Sequence, residues 1–118
     1  MGIISSAVVC LRTKLVETMP TEISDFLHDL RSEELNEEEG RLYHFSHIKW
    51  YCEEQGTEPF ALYEWLRTQD ENDFLVVTVC HDYPENDDRG IGEWTENPWN
   101  VCRIVETYID FDGRDSSD

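Results

Sequence analysis

The amino-acid sequence predicts an α+β fold whose elements follow in the order β-α-β-α-β-β. Several segments are rich in β-branched and aromatic residues, and their apolar side chains either alternate or run together, as in strands. Two other segments repeat apolar residues every three to four positions, as amphipathic helices do. A chain of 118 residues has room for one core. We therefore expect a three-to-four-stranded mixed or antiparallel sheet with both helices packed on one face.

The first half of the chain supplies a strand, a helix and a second strand. Residues 6–16 alternate apolar and polar side chains, which predicts a strand. A proline break follows, and we expect Thr21 to cap a helix with a buried apolar stripe. This helix either ends near residue 31 or continues to Gly40, which is a plausible residue to follow a helix end. Residues 41–52 favour a strand with apolar groups on both faces.

The second half predicts a helix and two further strands. Thr57 is expected to cap the helix, and Pro59 falls in its first turn, where proline is tolerated. Residues 74–80 form a continuous apolar run, which is typical of a strand buried on both faces. A long polar loop at 82–100 precedes a strand at 101–111. We assign residues 1–111 to a single acidic domain and residues 112–118 to a disordered acidic tail.

The charge balance is the strongest functional clue in the sequence. The chain has 9 Lys and Arg residues against 27 Asp and Glu residues, for a formal net charge of −18. Binding to nucleic acid or to anionic lipid needs clustered basic residues, so both are excluded as direct partners. The hydrophobic fraction of 39% includes 4 Trp, 5 Tyr and 5 Phe, which argues for a folded core rather than a disordered acidic chain.

Four acidic residues follow one another at steps of three, four and four along the predicted first helix: Glu22, Asp25, Asp29 and Glu33. On a helix these carboxylates would lie about 5–6 Å apart on one face, where like charges cost about 0.2–0.5 kcal/mol per pair. The spacing and the negative charge of these carboxylates approximate those of the phosphates along a nucleic acid. The alternative is an ordinary solvated helix face that keeps the protein soluble. Further acids continue the row at Glu34, Glu37, Glu38 and Glu39.

The loop at 82–100 is long for a connection without secondary structure, and such loops are often functional. It places Trp94 and Trp99 among carboxylates, an arrangement that suits an interface with desolvated aromatic anchors and a charged periphery. The alternative is that both tryptophans fold back and cap the edge of the sheet. The acidic residues of the loop that we include as candidate partner contacts are Asp87, Asp88 and Glu93.

Composition and charge placement over most of the chain resemble those of small phage-encoded DNA-mimic proteins, although no motif allows an alignment to one family. The resemblance implies a protein that blocks restriction enzymes, CRISPR effectors, polymerases or nucleoid proteins. The expected partner is then a basic, nucleic-acid-binding protein of the host cytoplasm. Oligomeric state is left open.

Neither catalysis nor a cofactor is expected from the motifs. Walker, Rossmann, nucleophile-elbow and His-Glu-x-x-His patterns are missing from the sequence. The four cysteines fall one per apolar segment, which predicts free, buried thiols rather than metal ligands: Cys10, Cys52, Cys80 and Cys102. A zinc site would have to gather His44, His47 or His81 around Cys80 from separate strands.

The amino terminus fits a myristoylation pattern with Gly2 as acceptor, but no polybasic segment follows to give a second anchoring signal. We interpret this stretch as the start of the first strand. No run approaches the ~20 apolar residues of a membrane span. The sequence therefore predicts a soluble, cytoplasmic protein.

The leading hypothesis is a non-enzymatic inhibitor that mimics nucleic-acid phosphates, with an anti-defence or host-takeover role. The alternative is an adaptor or immunity-type module that uses the 82–100 loop, and a small metal-dependent enzyme stands third. The candidate partner-binding residues are Glu22, Asp25, Asp29, Glu33, Glu37, Glu38, Asp87, Asp88, Glu93, Trp94 and Trp99.

Overall fold

The first strand, β1 (Ile4–Arg12), forms the centre of a five-stranded antiparallel sheet in a computed structural model of the chain. The structure describes residues 4–82, 87–105 and 108–111. In spatial order the sheet runs β2-β3-β1-β4-β5. The other strands are β2 (Glu33–Glu37), β3 (Gly40–Lys49), β4 (Phe74–Cys80) and β5 (Ile91–Gly92).

Three helices accompany this sheet, α1 (Thr13–Thr18), α2 (Thr21–Leu30) and α3 (Glu58–Leu66). A single 3₁₀ turn, Glu71–Asp73, precedes β4. The Thr57 hydroxyl accepts a hydrogen bond from the backbone N–H of residue 60 at 3.2 Å, which confirms the predicted cap of α3. No side chain caps α2, whose N-cap position is Pro20, so the prediction of a Thr21 cap was wrong.

The alternation of β1 divides the core into two layers. Ala7, Val9 and Leu11 pack with the apolar stripes of the helices. Val8 and Cys10 point to the opposite face, where the carboxyl-terminal part of the chain covers them. That second layer contains Trp94, Trp99, Val101, Ile109 and Phe111. Covering on both faces explains why β1 is apolar almost throughout, as expected for a central strand.

The predicted α+β class is confirmed, but the strands differ in number and order from the prediction. Residues 13–16 belong to α1 rather than to the first strand. The predicted strand at 101–111 is instead a hairpin, β6 (Cys102–Val105) and β7 (Tyr108–Asp110), in a second two-stranded sheet. The tail at 112–118 lies outside the described residues.

The largest correction concerns residues 31–40. Helix α2 ends at Leu30, and residues 33–37 form an edge strand that pairs with β3 from Glu33–His44 to Glu37–Gly40. Gly40 opens β3 rather than following a helix end. A Cβ atom at Gly40 would collide with the backbone oxygen of Leu11, so the close approach of β3 to β1 requires glycine there.

Among the described residues, no helix is long and apolar enough to cross a membrane.

Candidate functional site: an acidic surface

One face of α2 carries three of the predicted carboxylates. Glu22, Asp25 and Asp29 are all exposed. The other side of the helix buries Ile23, Phe26 and Leu27 in the core, whereas Leu30 at the helix end is exposed. Their steps of three and four residues place them within one stripe of the helix surface. The sequence-based prediction of an acidic face is therefore confirmed for the part of the row that is helical.

The remaining carboxylates of the predicted row are not on a helix. Glu33 and Glu37 belong to the edge strand β2, and Glu38 follows in the turn to β3. The expectation of a helical row through Glu33 was wrong because pairing with β3 overrides the helical periodicity of this segment. Charges on an exposed edge strand also discourage edge-to-edge association, which is a structural reason for them to be there.

A surface hollow of about 420 Å³ lies between α1 and the turn that joins β2 to β3. Glu17 of α1 lines it together with Glu37, Glu38 and Arg41. The Thr13 hydroxyl donates to the backbone oxygen of Glu38 at 2.9 Å, which fixes the turn against α1. Glu17 is not among the residues predicted from sequence, because it follows a segment that was predicted to be a strand and is in fact part of α1.

The basic residues are engaged by the protein's own carboxylates. Within the described side chains, every Arg and Lys except Lys49 lies in an ion pair. Three of the acceptors are largely withdrawn from solvent: the side chains of Glu34, Asp73 and Asp87 are 13%, 11% and 0% exposed. Most of the described Lys and Arg side chains therefore form ion pairs with carboxylates that are largely withdrawn from solvent. The exposed acids of α2 and of the hollow have no ion-pair partner within the described residues.

Glu34 is the acid with the most basic neighbours. Its carboxylate lies 3.0 Å from Arg31 Nε, 3.7 Å from Arg41 Nη1 and 3.6 Å from His28 Nε2. These contacts join the end of α2 to the strands β2 and β3. Glu34 therefore has a structural role, although it sits beside Glu33 in the sequence.

Asp87 forms a buried ion pair with Arg89, with Arg89 Nη2 donating to Oδ2 at 2.6 Å and Nε donating to Oδ1 at 3.0 Å. The Thr78 hydroxyl also donates to Oδ1, at 2.8 Å. Burial alone would raise the pKa of the Asp87 carboxyl, but the hydrogen bonds from Arg89 and Thr78 outweigh burial and lower it. Asp87 was a candidate partner contact, and its carboxylate is instead paired inside the protein with Arg89 and Thr78.

Arg89 connects this pair to the rest of the fold. Its guanidinium donates to the backbone oxygen of Trp50 at 2.7 Å and to Ser5 Oγ at 3.0 Å, and its backbone oxygen accepts from Tyr63 Oη at 2.7 Å. Burial would lower the pKa of Arg89, but the hydrogen bond to Asp87 raises it above its usual value. The segment 87–89 is thereby fastened to β1 and α3.

Trp94 and Trp99 are 3% and 1% exposed, so the proposed aromatic anchors are part of the core. Their rings pack edge to face with centroids 5.9 Å apart, and the guanidinium of Arg12 lies 4.7 Å from the Trp94 ring centroid. The Asn97 side-chain amide donates a hydrogen bond to the Trp94 backbone oxygen at 2.9 Å. Its Oδ1 accepts one from the backbone N–H of Trp99 at 3.2 Å. The alternative that both tryptophans fold back is confirmed, but they cover a face of the sheet rather than its edge.

Asp88 and Glu93 are the candidate acids of the loop that remain exposed. Gly90 and Gly92 lie in the sequence between these two acids. Both glycines lie where β5 packs closely against β4, and they do not form a phosphate-binding loop. A Cβ atom at Gly92 would collide with the backbone oxygen of Phe74, and Gly92 also has a φ of +97°.

The cysteines follow the prediction in three of four positions. Cys10, Cys52 and Cys80 are free and buried, whereas Cys102 is free and exposed. Burial raises the pKa of the Cys10 and Cys52 thiols, which keeps them protonated and unreactive. In the described part of the chain no three His, Cys, Asp or Glu side chains are grouped as a multi-ligand metal site would require.

Two histidines from different strands, His47 and His81, lie in direct contact, although the sequence offered them only as separate alternatives for a zinc site at Cys80. The ring centroids of His47 and His81 are 4.6 Å apart, and both side chains are exposed. Because His47 lies in β3 and His81 follows β4, only the sheet order brings them together, on either side of β1.

Comparison with known proteins adds no relative: a scan of protein-family models, a search of curated proteins and a search of solved structures each return no match to this chain.

Proposed function

We propose that this protein is a non-enzymatic acidic binding protein that occupies the basic, nucleic-acid-binding surface of another protein. One observation carries the proposal. The described basic side chains are, apart from Lys49, paired with the protein's own carboxylates, whereas the acidic face of α2 is exposed and has no cationic partner within the described residues. An acidic surface kept for solubility alone would more often mix both signs.

The charge and the spacing of the α2 carboxylates support this function. Carboxylates about 5–6 Å apart on a rigid helix resemble a row of phosphates, and they can take the place of phosphate as partners of Lys and Arg. The net charge of −18 would speed association with a basic protein through long-range attraction. This attraction is screened over about 8–10 Å at physiological ionic strength, so binding should weaken as salt rises.

The hollow beside α1 offers a second acidic contact. Glu17, Glu37 and Glu38 line one concave surface, which has the size and charge to receive a Lys or Arg side chain of the partner. Arg41 also lines the hollow, but it lies 3.7 Å from Glu34 and is oriented by that carboxylate.

The adaptor alternative is weaker than the sequence suggested. It depends on Trp94 and Trp99 as exposed anchors, and both side chains are buried in the second core layer. The third possibility, a metal-dependent enzyme, is not supported by any cluster of three or more His, Cys, Asp or Glu side chains within the described residues.

The test is capture of a partner from an extract of the native host, followed by displacement of labelled DNA from the captured protein. Both steps are run at about 50 mM and about 200 mM salt, a range over which phosphate-type contacts weaken strongly. The first variant carries Glu22→Lys, Asp25→Lys and Asp29→Lys. We expect wild type to capture a nucleic-acid-binding protein at low salt and to release its DNA, and the variant to do neither.

A control variant matches this change in net charge at another place. Glu53→Lys, Glu54→Lys and Glu96→Lys also reverse three exposed carboxylates with no ion-pair partner within the described residues. The control should retain most of the binding. Equal loss in both variants would mean that net charge alone, and not the α2 face, is recognised. Undiminished binding by the α2 variant would refute the proposal for this helix.

A third variant tests the hollow with the same change in net charge. Glu17→Lys, Glu37→Lys and Glu38→Lys should reduce affinity if the hollow receives a basic side chain. If this variant binds as the control does, the contact is confined to α2.

A further inference from the structure

A β-bulge places His47 in an unusual backbone conformation. The pairing of β1 with β3 shifts register between Ser5 and Ala7, so two residues of β3 lie opposite Ser6. His47 has a φ of +56°, which is in the left-handed region that few residues other than glycine adopt. Bulges of this kind turn a side chain away from its regular direction. Here the histidine ring is directed against the ring of His81 from the far side of β1.

One nitrogen of each imidazole ring is held by a serine hydroxyl. Ser6 Oγ lies 2.9 Å from His81 Nε2, and Ser46 Oγ lies 2.9 Å from His47 Nδ1. The other two nitrogens, His81 Nδ1 and His47 Nε2, take part in no hydrogen bond within the described residues. Histidines that bind metals have this arrangement, in which one nitrogen binds the ion and a hydrogen bond at the other fixes the ring.

The separation of the rings fits a shared ion. A zinc ion bound to an imidazole nitrogen at about 2.0–2.1 Å lies about 3.2 Å from the ring centroid. Two rings that share one ion at an angle between about 90° and the tetrahedral angle therefore have centroids about 4.5–5.2 Å apart. The observed distance between the His47 and His81 centroids, 4.6 Å, falls within this range.

We propose that His47 and His81 form a two-imidazole binding site for a borderline divalent transition metal, of which Zn²⁺ is the d¹⁰ representative. Within the described residues no third His, Cys, Asp or Glu side chain completes the group. Water would then fill the other coordination positions, so the bound ion is exchangeable and has open positions. The inference is independent of the proposed function.

Cys80, which the sequence predicts to be a free thiol rather than a metal ligand, is buried and is no part of this site.

The test must separate this site from the many carboxylates, which bind cations weakly. Calcium prefers oxygen ligands, whereas zinc accepts imidazole nitrogen. The full chain is therefore titrated with ZnCl₂ in excess CaCl₂ by isothermal calorimetry at pH 7. We expect one equivalent of zinc to bind wild type, and zinc affinity to fall at least tenfold in His47→Asn and in His81→Gln.

The substitutions are chosen to keep the fold. Asparagine tolerates the left-handed conformation at position 47, and glutamine retains a hydrogen-bonding group near Ser6 at position 81. Matched controls are His28→Gln and His44→Gln, which change the two other histidines and should bind zinc as wild type does. Far-ultraviolet circular dichroism and a urea midpoint check that each variant is folded.

A measurement on wild type alone protects the test against unfolded variants. Histidine side-chain ¹⁵N spectra should show that zinc moves the ring signals of His47 and His81 and leaves those of His28 and His44 in place. Zinc binding that persists in both site variants would overturn the proposal. So would zinc-induced shifts at the control histidines, or the loss of zinc binding in excess calcium.

Discussion

Replacing Asp87 with alanine should destabilise the protein more than any exposed acidic substitution. The Asp87 side chain is 0% exposed and its partner Arg89 is 17% exposed, so the substitution leaves a largely buried guanidinium without its counter-charge. Breaking such a pair costs about 3–5 kcal/mol. In the variant, Arg89 keeps its hydrogen bonds to the Trp50 backbone and to Ser5. We therefore expect the loss of unfolding free energy to lie near the lower end of this range, at about 3 kcal/mol.

Urea denaturation at pH 7 measures this loss. With m-values of about 1–3 kcal/mol/M for small proteins, a loss of this size lowers the urea midpoint by about 1–3 M. The double variant Asp87→Ala with Arg89→Ala should be destabilised by less than the sum of the single losses, because it leaves no unpaired charge. A loss under about 1 kcal/mol in Asp87→Ala, or strict additivity in the double variant, would refute the reasoning.

The contribution of the Asp87–Arg89 ion pair to folding stability should decrease as the pH falls. The pKa of Asp87 is lower in the folded protein than in the unfolded chain, where it is about 3.9. Its stabilising contribution is therefore complete above that unfolded value and is lost as pH falls through the lowered native one. The difference in urea midpoint between wild type and Asp87→Asn should shrink on going from pH 7 to about pH 3. An unchanged difference would show that the charge of Asp87 does not contribute.

Three further predictions concern positions that define the fold, each measured as the change in unfolding free energy from urea titrations. Gly40→Ala should cost about 1–3 kcal/mol or more, because its Cβ would collide with the Leu11 backbone oxygen; a neutral effect would mean that β3 can move away. Trp94→Ala should cost about 3–5 kcal/mol by removing a ring packed against Trp99. Partner capture by that variant should persist under conditions where it is folded, and loss of capture there would revive the adaptor alternative. Thr57→Ala should cost about 1 kcal/mol by removing the cap of α3, and a loss below 0.3 kcal/mol would contradict that role.

Segments with a strong local pattern could be predicted from sequence. The apolar run at 74–80 is β4, and the stripe after Thr57 is α3 with its cap and its early proline. The apolar spacing of α2 also predicted which side of that helix is exposed, and with it the acidic face. In each case neighbouring residues of the same segment decide between burial and exposure.

Segments whose structure depends on distant partners could not be predicted. Residues 33–37 contain one apolar residue, Leu35, and they form a strand only because β3 pairs with them. The same holds for Asp87, whose sequence neighbours suggest an exposed acidic loop but whose carboxylate is held by Arg89 and Thr78.

The sequence by itself determined the α+β class, the excess of carboxylates and the acidic face of α2, because composition and helical periodicity are local properties. Only the tertiary structure decided which charges remain available, since ion pairs such as that of Arg12 with Asp73 join residues far apart in the chain. It also decided that Trp94 is core and that His47 meets His81. These outcomes follow from sheet order and register, which set the long-range contacts that no local pattern encodes.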